Sequence, residues 1–137
     1  MTLGKAVAAE TVGTALLLAI VVGSGIMGER LAAGNAAIAL LANSIATGAG
    51  LYVLIVIFGP ISGAHFNPIV SGMSTWEGQL QPRCFAAYVL AQLSGAFVGV
   101  VTAHAMFGLQ LLQVSTHMRP TFGGVLAKSL LHSALFW

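Results

Sequence analysis

Charged side chains are scarce in this chain. Together they make up 6% of the 137 residues, whereas a soluble domain carries about a quarter. Hydrophobic residues make up 58%, and the formal net charge is only +2. So few charges give neither a well-solvated surface nor a basic patch for nucleic acid. The composition therefore predicts a protein whose solvent is the lipid bilayer and which has no nucleic-acid partner.

Cysteine is almost absent as well. Cys84 is the single cysteine, which excludes an intrachain disulfide. The four histidines show no ligand spacing, so we expect no metal site and no cofactor. Ser24, which lies between two glycines, has no base to activate it, so we do not expect an enzyme.

Three apolar runs are long enough to cross a bilayer, which takes roughly 20 residues. They cover residues 5–27, 36–58 and 84–108. The first run could be mistaken for a cleaved signal peptide, but Glu10 interrupts it and no cleavage site of small residues follows. We therefore expect a multi-pass protein of the cell membrane.

Residues 61–70, with the sequence ISGAHFNPIV, lie between the second and third runs. Asn67 is a natural N-cap, and Pro68 fits the first position of a helix. Residues 59–77 are predicted to hold an extended re-entrant segment, over 59–66, and a half-helix too short to span. A broken helix is tolerated in a membrane only where it packs in protein or lines a wet cavity. The motif therefore predicts a pore or a binding site at depth.

This motif, SGAHFNP, resembles the first Asn-Pro-Ala signature of the aquaporin and aquaglyceroporin family, with Ile69 in place of alanine. The likeness extends to Glu10 and to residues 88–96 (YVLAQLSGA), and covers roughly residues 5–113. The second signature of that family, followed by arginine, is not present. The resemblance implies an all-α membrane unit over residues 1–113. It would comprise three transmembrane helices and one re-entrant half-helix, which is a single inverted repeat.

The resemblance also assigns roles to residues. The Asn67 amide would donate to a passing solute, and the carbonyls of Gly63, Ala64 and His65 would form a ladder of acceptors. His65 would also bond locally and fix the loop. Glu10 would accept hydrogen bonds from the re-entrant backbone as a structural brace. The selectivity narrowing would fall at four positions: Thr47, Ile55, Ala64 and Val70.

Val70 stands where the family has the arginine of its narrowing. Loss of that charge implies a wider, more apolar mouth and weaker exclusion of cations. Small uncharged solutes such as glycerol or metalloid hydroxides would then pass beside water. The bulky Ile69 crowds the centre and acts against this widening, and the sequence alone leaves open which effect is larger.

Half a channel needs a second half. A single re-entrant segment would expose unsatisfied backbone groups to lipid, and three helices cannot enclose a passage. We expect two copies to associate head-to-tail, and by analogy on the order of eight chains would form four pores. Such pairing requires insertion in both orientations. The positive-inside rule gives little bias, because Lys5 and Arg83 fall on one side while Arg30 and Arg119 fall on the other.

Small residues predict close packing of the third run. Gly95 and Gly99 form a G-x-x-x-G motif, which lets two membrane helices approach closely.

The tail, residues 114–137, allows two interpretations. From Val125 onward, Lys128 and His132 share one face, which is typical of an interfacial amphipathic helix preceded by a loop. Alternatively, the tail is a chance sequence produced by truncation of a longer gene.

Two other functions stay open at this stage. The chain could be a non-conducting structural or interaction subunit, or a vestige. It could also be a small dual-topology transporter driven by a proton gradient, with Glu10 as the proton carrier.

Overall fold

The computed structural model describes residues 2–111, which fold into four helices without any strand. The helices are α1 (Leu3–Leu31), α2 (Ala36–Ser62), α3 (Pro68–Trp76) and α4 (Pro82–Met106). The tail at 114–137, for which we predicted a loop and an amphipathic helix, lies outside the described residues.

Three of these helices can cross a membrane. α1, α2 and α4 have 29, 27 and 25 residues and are apolar enough to span. The 9-residue α3 is only about 13 Å long at a rise of 1.5 Å per residue. The predicted fold class, three spanning helices and one half-helix, is confirmed.

The end of α2 corrects one prediction. We expected residues 59–66 to be extended, but the first four of them continue the helix through Ser62. Pro60 lies in the last turn and does not end the helix. Gly63 then ends the helix with φ 90°, donating its N–H to the Gly59 carbonyl at 3.0 Å. The re-entrant connection to α3 is therefore shorter than the sequence suggested.

Helix α1 is central, since α2 and α4 both pack against it, and α3 packs against α4. Glycine permits the close contact between α1 and α4. A Cβ atom at Gly95 would overlap the Thr11 carbonyl, and one at Gly99 would overlap the Ala15 carbonyl. The backbones approach too closely for any side chain, and van der Waals contact can then hold the pair together in lipid.

A contact between the last turn of α1 and the residue that follows α4 shows the relative direction of the two helices. The Arg30 guanidinium donates to the Phe107 carbonyl at 3.0 Å and lies 5.3 Å from the centre of the Phe107 ring. The carboxyl ends of α1 and α4 therefore lie on the same side of the unit, and their amino ends lie on the other.

Most of α2 is left uncovered by the other described residues. Among its 27 residues only Ala39, Leu54 and Ser62 are buried. Its exposed side chains include the large apolar residues Ile38, Leu41, Ile45, Val53 and Ile57. This helix therefore offers its surface to lipid or to a second protein unit.

Candidate functional site: the re-entrant segment and its brace

Glu10 is the centre of the site. Its side chain is 0% exposed, although it lies on a helix that could span a membrane. One carboxylate oxygen accepts from the Ser62 hydroxyl at 2.6 Å and from the His65 N–H at 3.0 Å. The other accepts from the Phe66 N–H at 2.7 Å and from the Gln92 amide at 2.9 Å. Each oxygen thus has two donors, which accounts for all the usual acceptor positions of a carboxylate.

Glu10 holds a strained segment. Gly63 has φ 90°, and Ala64 and Phe66 also have positive φ, 51° and 50°. For residues other than glycine this conformation costs on the order of 1–3 kcal/mol each and persists only where the surroundings enforce it. The Ala64 N–H donates to the Ser62 hydroxyl at 3.1 Å, and the next two N–H groups donate to Glu10. Three successive backbone donors are therefore satisfied within the chain.

A second set of bonds joins three helices around this brace. The Gln92 amide also donates to the Ser71 hydroxyl at 2.9 Å, and Ser71 lies 3.0 Å from Nδ1 of His65. The Tyr88 hydroxyl donates to the Ser62 carbonyl at 2.8 Å. Together these bonds tie α4 to α3 and to the end of α2.

Four members of this network received no role from the sequence, namely Ser62, Ser71, Tyr88 and Gln92, although the last two lie in the stretch 88–96 that resembles the family. All four are polar side chains within otherwise apolar helices, which was the available signal. A buried polar group in lipid needs a partner, so each of them should have been assigned one.

Asn67 caps the half-helix. It has an extended backbone, φ −150° and ψ 130°, and its side-chain oxygen accepts from the Ile69 N–H at 2.8 Å. Pro68 follows as the first helical residue. Because the oxygen is held by the cap, the amide nitrogen is the end left to donate, and no acceptor within residues 2–111 takes a bond from it.

The backbone acceptors just before the cap are also free. Within the described part of the chain, no donor bonds to the carbonyl oxygens of Gly63, Ala64 or His65. The segment therefore has satisfied N–H groups and available carbonyls. The sequence-based expectation of unsatisfied backbone holds for the carbonyls only, since Glu10 and Ser62 accept from the three N–H groups.

The four positions expected to form a narrowing are not all brought together in this unit. Val70 and Ile55 are each 46% exposed, and Ala64 lies in the re-entrant segment. Thr47 is half-buried on α2, where its hydroxyl donates to the Asn43 side chain at 3.0 Å. The α2 and α3 helices do not pack against each other, so the described unit does not bring Thr47 or Ile55 against Val70.

Neither a catalytic serine nor a metal site is found among the described residues. Ser24 bonds to the Val21 carbonyl and to Asn43, both at 3.3 Å, and no base among residues 2–111 bonds to it. Over residues 2–111, no cluster of three or more metal-ligating side chains occurs.

A broken helix, pinned inside a bundle of spanning helices by one buried carboxylate, defines a multi-pass membrane unit built around a re-entrant segment. The family model of the major intrinsic proteins matches residues 1–132. The chain therefore belongs to the major intrinsic protein family. Members of this family are channels and not enzymes, which agrees with the prediction from the sequence.

Several curated relatives match the same region. Aquaglyceroporin AqpS of Rhizobium meliloti (strain 1021) is 55% identical over 111 residues, or 81% of this chain and 47% of that protein. Aquaporin-3 of Milnesium tardigradum is 33% identical over 120 residues, or 84% and 37%. Aquaporin NIP1-1 of Zea mays is 44% identical over 61 residues, or 43% and 22%. This chain thus spans less than half the length of these relatives. No solved structure matches it significantly.

Proposed function

We propose that the chain forms a passive channel for water and small uncharged solutes, with glycerol or metalloid hydroxides as the solute class. The observation that carries this proposal is the arrangement at Asn67. Among residues 2–111, the amide donor at the start of the half-helix and the three carbonyl acceptors just before it have no hydrogen-bond partner. A hydroxyl solute can bond to both kinds of group in turn, and so can water.

The start of α3 also gives a physical basis for selectivity. A helix N-terminus carries a partial positive charge, which repels cations and disfavours a chain of protons. Ile69 and Val70 follow Asn67 and are 54% and 46% exposed. Apolar side chains beside a short polar path favour neutral solutes over ions, which need continuous hydration.

The passage requires a second wall. We propose that a second copy, inserted upside down, supplies it by head-to-tail association in the cell membrane. Inverted repeats of channels and transporters build their sites where two such units meet. The uncovered surface of α2 and the exposed start of α3 support this pairing, because both are apolar and lack a partner within residues 2–111.

The geometry of Glu10 argues against the proton-carrier alternative. A carrier must exchange protons with water on both sides, but Glu10 is 0% exposed and is held by four donors. Its role here is to brace the re-entrant segment. A flux measurement distinguishes a channel from the non-conducting alternative.

Stopped-flow light scattering on vesicles that contain only this chain tests the proposal. Asn67→Asp keeps a capping oxygen but replaces the amide donor with a negative charge, since aspartate caps about as well as asparagine. We expect glycerol flux to fall on the order of tenfold, which corresponds to about 1.4 kcal/mol of added barrier.

Asn35 provides the matched control. It caps α2 by accepting from the Ala37 and Ile38 N–H groups, at 3.1 and 3.3 Å, and it is exposed in the α1–α2 connection. Asn35→Asp should leave the flux unchanged. Equal flux in the two variants would refute the role of Asn67, and no flux through the unaltered chain at any density would identify a non-conducting subunit.

A further inference from the structure

A small cavity, partly open to the outside of the described unit, lies where α1, α4 and the start of α3 meet. About 20 Å³ of it is open to the centre of a water molecule, and roughly 10–15 Å³ by this measure is enough to hold one water. The cavity is lined mainly by Thr14, Leu18, Phe66, Pro68, Gln92 and Ala96.

Two of the lining side chains carry buried polar atoms with no partner among the described residues, namely the Thr14 hydroxyl and the Gln92 side-chain oxygen. Each of the two residues is only 2% exposed. The oxygen and nitrogen of the Gln92 amide cannot be exchanged to give every polar atom a partner. Its nitrogen is needed by Glu10, and a carboxylate can only accept. The oxygen of Gln92 must therefore face away from Glu10 and needs a donor of its own.

Thr14 also differs from three other helical threonines in the described part of the chain. Thr11, Thr75 and Thr102 donate to the carbonyl four residues earlier, at 3.0, 2.7 and 2.8 Å. Thr14 makes no such bond, so its hydroxyl is free to bond a molecule in the cavity.

We propose that this cavity binds one structural water molecule, which donates a hydrogen bond to the Gln92 oxygen and bonds to the Thr14 hydroxyl. The water completes the hydrogen bonding of Gln92. It thereby keeps the Gln92 nitrogen directed at Glu10 and Ser71, at 2.9 Å from each. The inference rests on the geometry of this cavity and does not depend on whether the chain conducts.

The direction in which Thr14→Val shifts the unfolding midpoint tests whether the water is bound. Thr14→Val keeps the shape of the side chain and removes the hydroxyl. If the water is bound, it loses one of its two anchors, and the unfolding midpoint of the full chain in lipid should fall by roughly 4 °C or more. If no water is bound, the same change removes an unpartnered buried hydroxyl, and the midpoint should stay the same or rise.

Two further measurements make the outcome decisive. Thr14→Ser keeps the hydroxyl and should retain more of the midpoint than Thr14→Val does. A structure of the full chain in lipid, at a resolution that shows ordered water, should have a density peak within about 3.2 Å of both polar atoms. An unchanged or higher midpoint of Thr14→Val would overturn the proposal. So would finding the cavity without such a peak, or filled by a side chain of a second copy.

Discussion

The re-entrant segment has two sides that differ in how far their hydrogen-bonding groups are satisfied: a braced side and an open side. On the braced side, the N–H groups of Ala64, His65 and Phe66 all have acceptors, supplied by Glu10 of α1 and Ser62 of α2. On the other side, the carbonyls of residues 63–65 and the amide of Asn67 have no partner within residues 2–111. One unit can therefore fix the shape of the segment by itself, whereas the surface that would contact a solute remains open.

This difference separates folding from function. We expect changes on the braced side to alter stability first and flux only as a consequence. Changes on the open side should alter flux while stability stays nearly constant.

The largest loss should follow from removing the brace. Glu10→Ala takes the acceptor from two backbone N–H groups, one hydroxyl and one amide at once. Since each buried donor without a partner costs about 1–3 kcal/mol, the free energy of unfolding should fall by more than about 3 kcal/mol. Thermal unfolding in detergent measures it. Glu29→Ala, which removes an exposed carboxylate from the same helix, is the control and should change little. A Glu10→Ala protein as stable as that control would show that the brace is dispensable.

A smaller loss should come from the contact between α1 and α4. In Gly99→Ala the new methyl group overlaps the Ala15 carbonyl and the Leu18 side chain, so the helices must separate. Overpacking of this kind costs roughly 1–3 kcal/mol. Gly48→Ala on α2 is the matched control, because a Cβ there has no neighbour within 4 Å. The control should keep or slightly raise the unfolding midpoint, and equal midpoints for the two variants would contradict close packing at Gly99.

The smallest effect on stability should come from the open side. Val70 is 46% exposed, so Val70→Arg should shift the free energy of unfolding by less than about 0.5 kcal/mol. A fixed positive charge at the mouth should nevertheless lower glycerol and cation flux on the order of tenfold. Val70→Leu is the control for size without charge. Unchanged glycerol flux in Val70→Arg would remove Val70 from the passage.

Local rules explain which parts of the fold could be predicted. Asn67 and Pro68 follow capping preferences that depend only on neighbouring residues, and the three spans follow from apolar length. The end of α2 was placed too early because a proline in the last helical turn looks like a break, whereas Gly63 is the residue that ends the helix.

The network around Glu10 could not be derived in the same way. Its members are up to 82 residues apart in the chain, and they meet only after α1 and α4 have packed. A polar residue in an apolar helix indicates that a partner exists, but the identity of that partner depends on tertiary structure. The cavity beside Thr14 depends on the same packing, so no local pattern predicts it.

The central claim, that an inverted copy completes the passage, is tested most directly by the orientation of the chain. Cys84, the single cysteine, lies at the start of α4 next to the exposed Arg83 and marks one side of the membrane. In right-side-out membrane vesicles from expressing cells, a membrane-impermeant maleimide should label about half of the Cys84 thiols, because two orientations coexist. Permeabilised vesicles should then label fully. Labelling of all or none of the thiols before permeabilisation would show a single orientation and would contradict the head-to-tail channel.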